Sequence, residues 1–318
     1  MTLPTAVATA AGLALGYLAD CALGDPRRAH PVAAFGRLSA AVERRGYADT
    51  RMAGVRHVGA LVGGAIVLGK LLERPARRHL AFSIALSAAA TWTVLGGRSM
   101  MTEARAIAGQ LEADELVTAR EQVRNLVGRD TAGLSVAEVA RATVESVAEN
   151  TSDAVVAPLF WGALAGVPGL LGYRAVNTLD AMIGHRSARY LRFGWAAARL
   201  DDLANWIPAR IAGLLAAGLA PIVGGSAAAA VATWRRDSQQ HPSPNAGVVE
   251  AAFAGALGVR LGGSNVYEGR IEDRGLLGDG RTVQVGDIDR AARLSRAVSV
   301  AAAVLAGAVS LLRRVGST

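Results

Sequence analysis

Cysteine, lysine and aromatic residues are all scarce in this chain. Cys21 is the only cysteine, which excludes an intrachain disulfide and any cysteine-based zinc site. Lys70 is the only lysine, and no G-x-x-x-x-G-K-[ST] run is present, so a P-loop is excluded. Phe, Tyr and Trp make up 5% of the 318 residues although 52% are hydrophobic. A water-soluble core normally uses more aromatics. Long Ala, Leu, Val and Gly runs instead suit helices that pack closely in lipid, where small residues let backbones approach. Charged residues amount to 19%, fall between the apolar runs, and accompany a mean hydropathy of +0.29. The composition is that of a membrane protein.

The net charge is +8, nearly all from arginine. Binding nucleic acid would take an exposed basic face interleaved with stacking aromatics. Here the arginines sit in loops beside apolar runs, the usual pattern of cytoplasm-facing loops. No nucleic-acid partner is expected. Any phosphate held by this chain is expected in guanidinium forks. The apolar N-terminus lacks a basic leader and is followed by Asp20, so it reads as a retained span rather than a cleaved signal.

Charge-free stretches mark the expected spans at 1–19, 58–69, 80–97, 154–173, 211–234 and 297–312. A straight span needs about 20 residues. The second is short and would need His57 or Lys70 to snorkel. The expected fold is all-α: a polytopic integral membrane protein with amphipathic cytoplasmic helices, one membrane-embedded domain over 1–318. Its polar segments 20–57, 98–153, 174–210 and 235–296 form the active-site face. A short hairpin is expected around Leu277–Val285, with Gly278-Asp279-Gly280 as its turn. Strict alternation of spans would put 174–210 opposite 98–153, yet its arginines assign it to the cytoplasm. Val167-Pro168-Gly169, and Pro221 with Gly224-Gly225, interrupt two apolar runs, so one or both are expected to be re-entrant or strongly kinked.

Arg141, Glu145, Glu149 and Asp153 are spaced by four and form one helical stripe, with Asn150 beside it. An exposed stripe of this kind is usually a solvated face. At the mouth of a membrane segment, however, its carboxylates must pair or bind a cation. Arg199-Leu200-Asp201-Asp202-Leu203-Ala204-Asn205 is sharper: two carboxylates and an amide at this spacing can hold Mg²⁺ while leaving positions for water and phosphate. Arg199 and Arg210 flank it. Asn177 and Asp180 lie one turn apart and could reach an ion or a ligand hydroxyl, though a cap is the default there. In His241-Pro242-Ser243-Pro244-Asn245-Ala246-Gly247 two prolines fix the backbone, which would hold His241, Ser243 and Asn245 in set directions. The plainer reading is a turn capped by Asn245. Leu261–Gly269 reads as a Gly-rich loop.

Taken in order, Gly24-Asp25-Pro26, His30-Pro31-Val32, Glu145 through Glu149-Asn150-Thr151 to Asp153, Asn177-Thr178-Leu179-Asp180, Ala198-Arg199-Leu200-Asp201-Asp202, Ile207-Pro208-Ala209-Arg210, the His241–Gly247 run and Leu261-Gly262-Gly263 resemble the adenosylcobinamide-phosphate synthase family (CobD/CbiB). The match covers about Ala11 to Arg296. No single motif decides it; the ordered set is specific.

The resemblance implies a multispan inner-membrane ligase with its site facing the cytoplasm. It would join adenosylcobyric acid to (R)-1-aminopropan-2-ol O-phosphate, with ATP as co-substrate and Mg²⁺ as cofactor. Membrane lipid surrounds it, and a homo-oligomer or a complex with other cobalamin-assembly proteins is compatible with it. On this reading Asp201, Asp202, Glu149 and Glu145 are the metal candidates. Arg186, Arg199, Arg210, Ser243, Asn245 and Asn150 are the substrate and phosphate candidates, and His241, Asp180 and Asn177 the catalytic ones. His241 is the base expected on chemistry. The alternatives are a non-enzymatic membrane sensor or scaffold, which would not need the Asp pair and the His-Pro loop together, and a Mg-dependent prenyl- or phosphotransferase, which would need a second Asp-rich motif.

Overall fold

The computed structural model describes residues 3–25, 30–267 and 270–313. Pro26 of the Gly-Asp-Pro turn, Glu268 and Gly269 of the Gly-rich loop and the first two residues of the first span lie outside them. Among the described residues six helical stretches are long and apolar enough to cross a bilayer: Thr5–Leu23, Arg51–Ala76, Leu80–Glu112, Val136–Ile183, Trp195–Val223 and Gly286–Leu312. Each contains or overlaps one of the six charge-free runs. The protein is a polytopic helical membrane protein. Internal contacts group the chain into two compact units.

The first unit comprises Met1–Gly96, Ala154–Asn205 and Ala302–Thr318. Helix α1 (Leu3–Leu23) packs along α4 (Leu80–Val94). Gly12 and Gly16, one turn apart, face Ser87 and Thr91 with no room for a Cβ, so small residues set this approach. Helix α2 (Pro31–Gly46) starts at a proline and is capped by His30, whose Nδ1 accepts from the Val32 amide at 3.2 Å. Helix α3 (Arg51–Ala76) begins seven residues before the expected span and is capped by Thr50. His57 does not snorkel. It is buried and lies 3.2 Å from Ser39 Oγ.

Helix α8 (Ala157–Ile183) is broken at Gly166, where φ is +64° and ψ −146°, a region open essentially to glycine alone. Past the break Gly169 stands against the Trp161 carbonyl and Leu170 against Gly162. A continuous helix would hold residues eight apart about 12 Å from one another. The chain therefore turns back sharply on itself, at the place where Val167-Pro168-Gly169 led to the expectation of a kink or re-entry. The groups freed by the break are satisfied from elsewhere in the unit. Glu73 Oε1 accepts from the Val167 amide at 2.8 Å, and the Arg313 guanidinium donates to the carbonyls of Ala163 and Leu164. A carboxylate thus meets the exposed amide and a guanidinium the exposed carbonyls, the signs that helix ends favour.

The second unit comprises Gly97–Asp153 and Trp206–Ala301. Helix α5 (Gly97–Glu112) buries Ala104, Ile107, Ala108 and Leu111 as its periodicity predicts, and packs on α6 (Leu116–Val123) and α7 (Val136–Thr151). Ser135 and Glu138 form a capping box at the start of α7. At the centre lies α12 (Ala246–Leu257), buried along almost its whole length. In chain order α9 is Tyr190–Phe193, α10 is Trp195–Leu219, α11 is Ala227–Asp237 and α13 is Gly286–Leu312.

Two expectations are corrected here. The fifth apolar run is interrupted at Pro221 and Gly224-Gly225 as expected, but its bounds differ from 211–234. Helix α10 starts earlier, at Trp195, and the run breaks through a 3₁₀ turn at Ala220–Val223, a left-handed Gly224 (φ +74°) and the Ser226 cap of α11. Pro221 cannot donate into a continuing helix and Gly224 closes it. The hairpin is also displaced. Strands β1 (Val259–Tyr267) and β2 (Arg270–Leu277) pair antiparallel, with a bulge between Gly262 and Ser264, and β3 (Arg281–Thr282) pairs parallel to β1. Gly278–Gly280 joins β2 to β3, and the run read as a Gly-rich loop is the central strand.

Candidate functional site

In the first unit, Tyr173, Asn177 and Asp180 recur on one face of α8, and Asp201 and Asn205 on one face of α10. Tyr173 Oη donates to Asn205 Oδ1 at 2.8 Å, and Asn205 Nδ2 donates to Asp201 Oδ2 at 2.9 Å. Asp180 and Asn177 face the same Asp201 carboxylate, one as a like charge and the other as an amide; its Oδ1 is shut off from solvent. Arg174 Nη1 donates to Asn177 Oδ1 at 3.3 Å. Asp202 points elsewhere, because adjacent helical residues do not share a face. It meets Arg199 at 3.4 Å, where Arg199 is 65% exposed. Of the two neighbouring carboxylates, Asp180 acts on Asp201 more strongly than Asp202 does. Arg186 is exposed between α8 and α9.

In the second unit, the stripe on α7 faces inward. Glu145 accepts from Arg129 and, at 2.8 Å, from the Gly262 amide, with Arg141 Nε at 3.8 Å. Arg129 also donates to Asn265, and Arg141 to the Gly262 carbonyl. These bonds tie α7 to the bulge of β1 and occupy both Glu145 oxygens. Glu145 is corrected from metal ligand to clamp. One turn on, Glu149 has a different environment: it and Glu250 of α12 lie within electrostatic reach of each other, of Glu145, and of Arg129 and Arg274. Neither carboxylate accepts a hydrogen bond from a described residue.

Glu250 is buried, with His241 Nε2 3.6 Å from its Oε1. Burial, then Glu145 and Glu149, push the Glu250 carboxyl well above the usual carboxylate range. Burial, and next Arg274, pull His241 down to about 4, so its ring is neutral at pH 7. Its Nδ1 sits 3.0 Å from the Ser243 amide. The Ser243 carbonyl lies 3.3 Å from the same nitrogen, so Ser243 engages Nδ1 in either tautomer, and Nε2 is the ring nitrogen that faces Glu250. Both ring nitrogens face groups of this unit, Nδ1 the Ser243 backbone and Nε2 Glu250.

The rest of the loop serves α12. Ser243 Oγ accepts from the Asn245 and Ala246 amides at 3.4 and 3.2 Å, so Ser243, and not Asn245, caps the helix. Asn245 Oδ1 instead accepts from Arg210 at 2.8 Å, and the Pro244 carbonyl accepts from the same guanidinium at 3.2 Å. Arg210 thus holds the loop with donors that had been assigned to phosphate. Asn150 bends back onto Ser146 of its own helix.

Glu250, Arg129 and Arg274 were not singled out from the sequence. Glu250 had a signal, as the one charged residue in the otherwise apolar 246–257 run; Arg129 and Arg274 had none. Among the described residues no group of three or more His, Cys, Asp or Glu side chains is arranged to hold a metal ion.

Fold and site together define a helical membrane protein with enclosed carboxylate, amide and guanidinium groups in each unit. Similarity makes the assignment particular. A family described as CobD/Cbib protein matches residues 13–295. The chain is 54% identical over 305 residues to the cobalamin biosynthesis protein CobD of Mycobacterium tuberculosis H37Rv, covering 96% of this chain and 97% of that one. It is 42% identical to the CobD of Pelobacter propionicus, covering 95% of each, and 47% identical to that of Geobacter metallireducens, covering 82% and 84%. No solved structure matches. The chain belongs to the CobD/CbiB family, which acts in cobalamin biosynthesis.

Proposed function

We propose that this protein is an ATP-dependent ligase that joins adenosylcobyric acid to (R)-1-aminopropan-2-ol O-phosphate, giving adenosylcobinamide phosphate. The observation that carries this reading is the mixed-sign cluster of Glu149, Glu250 and Arg274 within a chain of this family. Carboxylates and a guanidinium in one enclosed place suit a substrate bearing both charges.

A carboxylate is a poor electrophile, so ATP must activate it before the amine attacks. Positive charge over the phosphates would come from arginine and from Mg²⁺. The oxygen set around Asp201 and Asp180, with Asp201 Oδ1 enclosed, fits a hard cation held by two carboxylates and completed by water and phosphate. When bound, such an ion neutralises phosphate charge. Glu149, the other metal candidate read from the sequence, lies in the second unit beside Glu250 and Arg274 and is not counted in this set. His241 faces Glu250 through Nε2 at 3.6 Å and positions it.

The active site would face the cytoplasm, where ATP is found. The arginines of 174–210 support this, as does the reversal at Gly166, which lets the fourth apolar run enter and return. Membranes carrying the protein, given adenosylcobyric acid, the amino-alcohol phosphate and Mg-ATP, are expected to form adenosylcobinamide phosphate; no product would end the ligase reading. Single cysteines at positions 113, 187 and 238 in a Cys21→Ser background test the orientation. Labelling of position 187 by an impermeant reagent from the periplasm, with 113 and 238 protected, would reverse it.

A further inference from the structure

We infer that Glu149 and Glu250 form the ammonium subsite for the amino-alcohol phosphate, that Arg274 faces its phosphate, and that His241 positions Glu250. This rests on the ligase reading for the identity of the substrate, and on the second unit's own geometry for the subsite.

Buried carboxylates in proteins are hydrogen-bonded or paired, because an enclosed charge without partners is costly. Glu145 obeys the rule, being filled by Arg129, the Gly262 amide and Arg141. Glu149 and Glu250 accept no hydrogen bond from a described residue, and Arg129 is committed to Glu145 and Asn265. His241 Nε2, on a side chain only 2% exposed, makes no hydrogen bond and is aimed at Glu250 across 3.6 Å. That gap is too long for a hydrogen bond. The cluster is short of donors, and an ammonium brings three.

The signs decide what kind of ligand fits. Arg274, which also has Glu272 at 3.8 Å and lies within electrostatic reach of Glu149 and Glu250, would repel a bare metal cation, and the two carboxylates a simple phosphate. A small molecule with an ammonium at one end and a phosphate at the other satisfies both. The same chemistry occurs in a free amino-alcohol phosphate and in the headgroup of phosphatidylethanolamine, so a test must tell them apart.

Binding is measured by calorimetry on the full-length protein in phosphatidylglycerol nanodiscs, without ATP or corrinoid. The probes are 1-aminopropan-2-ol O-phosphate, isopropyl phosphate lacking the amine, 1-aminopropan-2-ol lacking the phosphate, and Mn²⁺ followed by its spin resonance. The amino ester is expected to bind at least about tenfold more tightly than either half, about 1.4 kcal/mol. Glu250→Gln and Glu149→Gln should each reduce it to the level of isopropyl phosphate, and Arg274→Gln to that of the amine alone. His241→Asn should weaken the amino ester while leaving isopropyl phosphate unchanged.

Equal binding of the amino ester and isopropyl phosphate by the wild type would overturn the inference. So would Mn²⁺ binding that Glu250→Gln abolishes, or an amino-ester affinity lost only when the nanodiscs contain phosphatidylethanolamine, which would identify the lipid headgroup as occupant. If Glu250→Gln does not fold, Glu149→Gln carries the test. Charge-selective binding without ligation would end the ligase reading and leave the subsite standing. Ligation with an unchanged KM for the amine in both Glu variants would do the reverse.

Discussion

Glu73 of α3 and Val167 of α8 are joined by a hydrogen bond of 2.8 Å across 94 positions of sequence. The carboxylate reaches the first amide after the break at Gly166 and occupies the space that a Cβ at Gly166 would need. Gly166→Ala therefore meets two obstacles, a φ of +64° and the Glu73 side chain. It should cost at least about 1–3 kcal/mol in backbone strain, seen as a lower melting temperature in detergent. Glu73→Gln, which keeps an acceptor, should be milder than Glu73→Ala. An unchanged melting temperature for Gly166→Ala would mean that the break is not held as described.

Asp201 and Asp202, adjacent in sequence, should behave differently. Asp201→Asn alters a carboxylate held by Asn205 and facing Asp180, and should lower ligation about 10–100-fold with the protein still folded. Asp202→Asn weakens a partly exposed pair with Arg199, a kind of contact worth under about 1 kcal/mol, and should leave turnover within a few-fold of normal. Arg199→Lys should be similarly mild. Equal losses at Asp201 and Asp202 would restore the pair as a joint ligand set.

Glu145→Ala should act on folding and not selectively on metal. It strands the buried Arg129 guanidinium and the Gly262 amide, and breaking such a buried pair costs about 3–5 kcal/mol. Low yield and a melting temperature that added Mg²⁺ does not restore are the expected results. A variant that is fully stable and is rescued by excess Mg²⁺ would return Glu145 to the metal.

Acid should loosen the second unit through His241. Its folded value, about 4, lies below the ordinary 6.5, so the unfolded chain takes up the proton first as pH falls. The stability held by the neutral ring is complete above about pH 6.5 and is lost toward pH 4, on the order of 3 kcal/mol. His241→Asn should flatten the melting-temperature profile over that interval. Glu250, whose carboxyl is pushed the other way, contributes with the opposite sign, so the comparison decides: a His241→Asn profile as steep as that of the wild type would show that the ring is solvated.

Much of the fold was legible because lipid imposes one simple requirement, a long stretch without charge. All six runs lie on or overlap helices long and apolar enough to span. Their ends were less legible. Helices α10 and α13 begin earlier than expected, because Asp201, Asn205 and Asp287 lie inside the helices and find partners there. Strand β1 was hidden because Leu261-Gly262-Gly263-Ser264 has no local strand preference, and pairing with β2 decides it. In the site, spacing showed which residues share a helix face but not which face a distant element would fill. The α7 stripe was visible, whereas its partners Arg129 and Arg274 come from a loop and a strand. Glu250 was readable as a lone charge in an apolar run, a cue that outweighs the proline-stiffened loop preceding it.

The reversal at Gly166 also has an order in time. The Arg313 guanidinium that covers the Ala163 carbonyl is made 150 residues after it. At about 5–20 residues per second, the first arm of the turn waits roughly 8–30 s for that cover. Glu73, by contrast, has already been translated when Val167 emerges. The amide side of the turn can therefore set as soon as Val167 emerges, and the carbonyl side only once residue 313 has been made. Ribosome-bound chains stalled before residue 313 would hold a half-finished turn, so the insertion machinery or another helix must shelter two carbonyls until the last helix arrives.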